Sequence, residues 1–177
     1  PVILAAGTPQ ILLPWDNAKV FQRDLQARSA YQPTIHHQGD RWIAYIGHDD
    51  IWTGDHLSRI HAASVRDREA DFAVSGCVYH TPPGTGIYYI NGLFEESDNI
   101  AGYFFPPSSI AHRRDVTERI GPWQDPRSIA KSVDCDFMQR ALKAEMKFIS
   151  TGVITVHKFA AGHRYLSYLR VSSHEQH

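Results

Sequence analysis

The sequence predicts an α/β domain. Short apolar runs of strand length alternate with segments of helical spacing. Residues 81–86 (TPPGTG) hold two prolines and two glycines, so a loop must punctuate the middle of the chain. At 177 residues the chain is one domain by size and long enough to bury a core.

Residues 1–6 read as a short buried strand. Asp16 or Asn17 is placed to cap a helix toward Tyr31, with Val20, Phe21 and Leu25 on its inner face. Residues 41–47 (RWIAYIG) form the clearest strand, which stops at His48-Asp49-Asp50. Thr53 or Asp55 then caps a helix carrying Leu57, Ile60 and Ser64 at helical spacing. Residues 70–79 (ADFAVSGCVY) are a second buried strand, and 87–93 a third that can pair back as a hairpin. Residues 106–109 (PPSS) make a turn. A short helix over 115–120 is stopped by Gly121, with Pro122 beyond it. Residues 134–144 form an amphipathic helix with Phe137, Met138, Ala141 and Leu142 inward, and 147–157 return as one or two strands. The domain is expected over 1–170, followed by a polar tail at 171–177.

Eighteen Lys and Arg stand against nineteen Asp and Glu, so no basic excess grips a phosphate backbone, and bulk nucleic-acid binding is excluded. No apolar run is long enough to span a bilayer, and no signal-peptide pattern opens the chain. Cys77 and Cys135 are too few for a disulfide framework. They read as reduced thiols of a cytoplasmic protein. A chain that begins at Pro1 reads as a fragment or a processed form.

Four segments carry candidate chemistry. A buried strand ending in His48-Asp49-Asp50 delivers carboxylates to the carboxyl edge of a sheet, where open α/β sheets bind ligands. Adjacent carboxylates are tolerated around a cation or in water, and the same acids also suit a turn and a helix cap. Asp134 and Asp136 straddle a helix start, where free amide groups attract carboxylates, either as simple caps or as functional acids. His157 ends an apolar run and is either a structural histidine or a ligand. His36, His37, His56 and His61 read as surface or packing histidines. In 106–114 (PPSSIAHRR), Ser108 and Ser109 offer hydroxyls, and Arg113 and Arg114 can meet phosphate.

The order of these motifs is more specific than any one of them. The series WIAYIGHDDIWTGDHL, PPSSIAHRRDVTERIGPW, DCDFMQRAL and TVHKF resembles the family 2 glycosyltransferases of the GT-A fold, over about residues 41–168. The resemblance implies a mostly parallel central sheet flanked by helices, with a small mixed β subsheet. It implies transfer of a sugar from a nucleotide-sugar donor to the hydroxyl of a glycan or other acceptor, inverting and metal-assisted, as in polysaccharide biosynthesis. Asp134 matches the catalytic acid that deprotonates the acceptor, and Asp136 the second acid often found after it. Asp49 and Asp50 match the end of the motif that holds Mg²⁺ or Mn²⁺ against the diphosphate, with His48 beside them and His157 as a further ligand. Trp52 and Trp123 offer flat faces for sugar rings or belong to the core, and Ser108, Ser109, Arg113 and Arg114 stand as donor- or acceptor-binding residues.

The departures are specific. Gly47 stands where the family has the first acid of the metal motif, and Val133 where it has the Glu before the catalytic Asp. The usual nucleotide-binding strand with its Asp-containing turn is not recognised before Arg41. These departures keep two alternatives open: a catalytically inactive glycosyltransferase-like binding module, and a metal-dependent hydrolase built from His48, Asp49, Asp134 and His157. A homo-oligomer is left open as well.

Overall fold

The structure is a computed structural model that describes residues 2–6, 19–22, 42–47, 50–80 and 88–159, the first two segments and residue 88 by their backbone alone. It is a mixed α/β domain built on one sheet. The strands are β1 (Val2–Ala6), β2 (Lys19–Gln22), β3 (Trp42–Tyr45), β4 (Ile51–Trp52), β5 (Phe72–His80), β6 (Tyr88–Asn91), β7 (Ile110–Arg113) and β8 (Phe148–Phe159). The helices are α1 (His56–Arg66), α2 (Val116–Ile120) and α3 (Val133–Lys143). Strand order is β2-β1-β3-β7-β5-β8-β4, and β6 pairs with β5.

Pairing is mixed. β1/β2, β1/β3 and β5/β8 are parallel, whereas β3/β7, β5/β7, β5/β6 and β4/β8 are antiparallel. The sequence reading of a mostly parallel sheet does not describe these pairings. The reason is β7, a four-residue strand that arrives from a turn and lies antiparallel between β3 and β5. β3 and β5 both oppose β7, so they run in the same direction and their carboxyl ends share one edge. β8, parallel to β5, ends there too.

The helix expected from Asp16 toward Tyr31 is corrected over Lys19–Gln22, which is strand β2 in parallel register with β1. Four residues, Lys-Val-Phe-Gln, are too few to show either period, and sheet pairing decides between strand and helix. The rest of that span, the loop 81–86 and the tail 171–177 lie outside the described residues.

The other elements form where their sequences direct them. α1 begins after Asp55, but the Asp55 side chain does not cap it. Its carboxylate instead accepts hydrogen bonds from Thr53 Oγ1 at 2.8 Å and Arg59 Nε at 2.9 Å. Gly121 ends α2 at φ +82°, a conformation that favours glycine. Residues 88–91 pair back on β5 as the expected hairpin. Residues 148–159 form one strand. Gly152 at φ +75° lets β8 bulge: Ser150 lies opposite Val74, and the next pair is Ile154 opposite Gly76.

Alternation along the strands splits the core into two layers. Ile43, Tyr45, Phe72, Val74 and Phe148 pack with α3 through Phe137, Met138 and Ala141. Ala44, Ala73, Ala111 and Ile149 pack with α1 through Leu57, Ile60 and Ala63. Alanines on the α1 side let that helix lie close, while aromatic rings fill the α3 side. A relay locks the aromatic layer. Trp123 Nε1 donates to Tyr45 Oη at 3.1 Å, and His112 Nδ1 donates to the Arg113 carbonyl at 2.7 Å. His112 Nε2 is thereby an acceptor, and Tyr45 Oη donates to it at 2.7 Å. No helix among the described residues is long and apolar enough to cross a membrane.

Candidate functional site

The carboxyl ends of β3, β5 and β8 build the candidate site. β3 runs out at Tyr45, and the chain folds so that Asp50 N donates to the Gly47 carbonyl at 3.3 Å. That turn drives the Asp50 side chain inward, where it is 1% exposed. A buried carboxylate needs partners, and Asp50 has two. Ser108 Oγ donates to Oδ2 at 2.5 Å, and Lys158 Nζ lies 3.2 Å from the same oxygen. Ser108 Oγ also accepts from Gly47 N at 2.8 Å, so a single hydroxyl pins both ends of the turn. Gly47 is required by space: a Cβ there would lie 2.8 Å from Asp50 Oδ2 and 3.3 Å from Ser108 Oγ. The residue that departs from the family pattern is the one that lets Asp50 turn in.

Trp52 braces this cluster. Its Nε1 donates to the Ser108 carbonyl at 2.7 Å, and its ring stacks on buried His56 at 4.1 Å. His56 Nδ1 meets Thr155 Oγ1 at 2.7 Å, while its Nε2 has no partner. Burial holds the His56 pKa down at about 3, the Asp55 charge opposing only in part. The ring stays neutral.

Beyond Trp52, Cys77, Tyr79 and Val156 form a small apolar cluster. Burial pushes the Cys77 thiol up to about 12, helped by the Asp50 charge, so Cys77 packs rather than attacks. Cys135 is half-buried. Tyr79 lies opposite Lys158 on one side and Tyr89 on the other. Burial is the main reason its pKa is raised, and the negative charges of Asp50 and Asp134 add to it.

Asp134 sits in the first turn of α3, half-buried, and its Oδ1 accepts from Cys135 N at 3.0 Å. Asp136 is turned elsewhere. It accepts from Arg140 Nε at 2.8 Å and lies 3.5 Å from Lys131 Nζ. Arg140 continues to the carbonyls of Ile120, Gly121 and Pro122. Asp136 thus ties α3 to the end of α2 and does not join the Asp50 cluster.

His157 does not join Asp50 either. Side chains alternate along β8, so Lys158 shares a face with Val156, and His157 points to the opposite one. There His157 Nδ1 lies 2.9 Å from His80 Nε2, and the His80 ring stacks on Phe159 at 4.6 Å. One nitrogen of that pair donates and the other accepts, so the two rings do not both carry a charge. Burial and His157 lower the His80 pKa.

The remaining expected residues are distributed by topology. Trp123 is core: it stacks on Phe137 at 4.2 Å and is 3% exposed. Ser109 is fully buried, and its hydroxyl folds back to the Pro106 carbonyl at 2.9 Å. Ser108 reaches the Asp50 turn, but Arg113 lies opposite Trp42 at the other end of β3. Arg113 and Arg114 instead line a cavity of about 730 Å³ with Trp42, His61, Arg68 and Glu118. His48 and Asp49 lie outside the described residues.

A divalent cation fits the described part of the expected ligand set poorly. Asp50 is engaged by Ser108 and Lys158, and His157 by His80. Among the described residues no three His, Cys, Asp or Glu side chains converge as a metal group. Lys158 was not singled out by sequence reasoning, although it follows His157 directly. Strand alternation is the signal that marks it, because the two neighbours must face opposite ways. No known family profile matches the chain, and no curated protein matches it in sequence.

Proposed function

We propose that this chain is a GT-A-like domain that transfers a sugar from a nucleotide-sugar donor to an acceptor hydroxyl, with Asp134 as the base. The observation that carries the reading is the buried Asp50 carboxylate, held by Ser108 and Lys158 at the edge where β3, β5 and β8 end. That edge is where sheets of this class bind ligands. Strand direction supports the GT-A-like assignment. β1, β2, β3, β5 and β8 run the same way, β7 is inserted against them, and β4 and β6 add an antiparallel fringe.

The chemistry assigned to these residues is a displacement. The acceptor oxygen bonds to the anomeric carbon as the bond to the diphosphate breaks. The acceptor proton passes to the Asp134 carboxylate, and the electron pair leaves with the diphosphate. A positioned base of this kind contributes about 10²- to 10⁴-fold. Asp50 has a positioning role: with Ser108 and Lys158 it fixes the chain just past the end of β3, next in sequence to His48 and Asp49. Of the expected metal ligands only His48 and Asp49 are left to hold a divalent cation, which would neutralise diphosphate charge.

The test is release of nucleoside diphosphate with and without an acceptor sugar, for the wild-type protein and Asp134→Asn. The proposal expects acceptor-dependent release, a fall of about 10²- to 10⁴-fold in the variant, and little change in melting temperature. Full activity in a folded Asp134→Asn protein rejects the base. Release that ignores the acceptor points to the hydrolase. Rates that do not respond to Mg²⁺, Mn²⁺ or a chelator remove the cation. A catalytically silent carbohydrate-binding module is the second reading, favoured by the packed Gly47, which leaves no room for the family's first acid. It expects binding without turnover.

A further inference from the structure

The sugar-transfer reading gives Arg113 and Arg114 no task, yet both line a cavity of about 730 Å³. That volume is in the range of small-molecule sites. The cavity lies at the opposite edge of the sheet from Asp50. Trp42 opens β3, and antiparallel β7 ends beside it at Arg113. One wall comes from α1 and the turn after it, where His61, Val65 and Arg68 recur at helical spacing. The start of α2 supplies Asp115 and Glu118 on the other side.

Three arginines here meet two carboxylates, so positive charge is in excess. Arg113 is partly committed. Its Nε donates to Asp115 Oδ1 at 3.3 Å, and its Nη1 donates to the Arg68 carbonyl at 3.3 Å. The second bond sets the Arg113 guanidinium against the Arg68 backbone. The Arg68 side chain is exposed and has no hydrogen-bond or ion-pair partner among the described residues. Trp42, half-buried against the α1 layer, and exposed Val65 give the same cavity apolar surface.

These features select a ligand class. A phosphate monoester carries about −1.5 to −2 charge at pH 7, and the guanidinium fork matches its oxygens in pairs. A bare phosphate ion would fill little of the volume and leave Trp42 and Val65 against water. An ester with a flat apolar body covers them. We propose that this cavity binds a small organic phosphate monoester, its phosphate held by Arg68 with Arg113 and Arg114 and its carbon body laid on Trp42 and Val65. The site is separate from the sugar-transfer edge and stands or falls without it. Glu118 opposes the bound charge, which gives the proposal a signature of opposite sign.

The probes are phenyl phosphate and inorganic phosphate, titrated by calorimetry into the full chain at low salt. Phenyl phosphate should bind wild type, and inorganic phosphate should bind at least several-fold more weakly. Arg68→Gln should weaken phenyl phosphate about tenfold or more at unchanged melting temperature, because the side chain holds nothing in the free protein. Val65→Glu, at an exposed position, sets a like charge in the cavity and should weaken it several-fold, whereas Glu118→Gln should tighten it several-fold.

Equal affinity in wild type and folded Arg68→Gln overturns the site. So does an affinity that ignores both Val65→Glu and Glu118→Gln, since the probe then binds elsewhere. Inorganic phosphate binding as tightly as phenyl phosphate overturns the assignment to an organic ester. Absence of binding to wild type at millimolar phenyl phosphate overturns the proposal outright, and leaves the sugar-transfer reading to its own test at Asp134.

Discussion

Removal of the Lys158 ammonium should destabilise the fold through Asp50. In Lys158→Met the aliphatic stem stays and the charge goes. The Asp50 carboxylate, 1% exposed, keeps the Ser108 hydrogen bond at 2.5 Å but loses its cation at 3.2 Å. Breaking one side of a buried pair typically costs about 3–5 kcal/mol. Lys158 is 26% exposed, so water recovers part of this, and about 2–3 kcal/mol is expected. For a chain of this length that corresponds to a fall of roughly 4–12 °C in melting temperature. Urea denaturation of wild type, Lys158→Met, Asp50→Asn and the double variant closes a cycle. Lys158 has contacts besides Asp50, and the cycle removes them from the comparison. The two substitutions should couple by about 1–3 kcal/mol, with the double variant more stable than the sum predicts. Strict additivity would show that the pair is not a unit, and the account of the Asp50 turn would fall with it.

Two further perturbations address the frame around the site. His56 and His112 are held neutral by burial, with pKa values near 3 and 4 against an ordinary value of 6.5. The unfolded chain therefore binds more protons as pH falls below 6.5, and stability present above that value is lost on the way to pH 4. Between pH 6.5 and 5 the two together account for a loss of about 3–4 kcal/mol, read as a falling urea midpoint; a flat profile contradicts the neutral rings. Gly47→Ala places a Cβ 2.8 Å from Asp50 Oδ2, and because that carboxylate is already held on two sides it has nowhere easy to move. A loss of about 1–3 kcal/mol is expected in the same assay, whereas Gly54→Ala, with open space around its Cβ position, serves as the neutral control.

Local pattern alone determined much of this protein. The strands around Trp42–Tyr45 and Phe72–His80, the helices after Asp55 and Asp115, and the inward faces of α1 and α3 all follow from apolar spacing and end signals, which act over a few residues. The relation between acids far apart in sequence does not, because it depends on strand order and on how side chains alternate. Strand β7, lying antiparallel between β3 and β5, brings Ser108 to the Asp50 turn and carries Arg113 to the far end of the sheet. Alternation along β8 sends Lys158 to Asp50 and its neighbour His157 to His80. The reading of Lys19–Gln22 as helix failed on the same ground, since four residues show neither period until a partner strand takes their amide groups. Tertiary structure also turned Tyr79 from one more strand aromatic into a buried hydroxyl with nothing to bond, because only the packed sheet decides which polar atoms lose water and which of them find a partner.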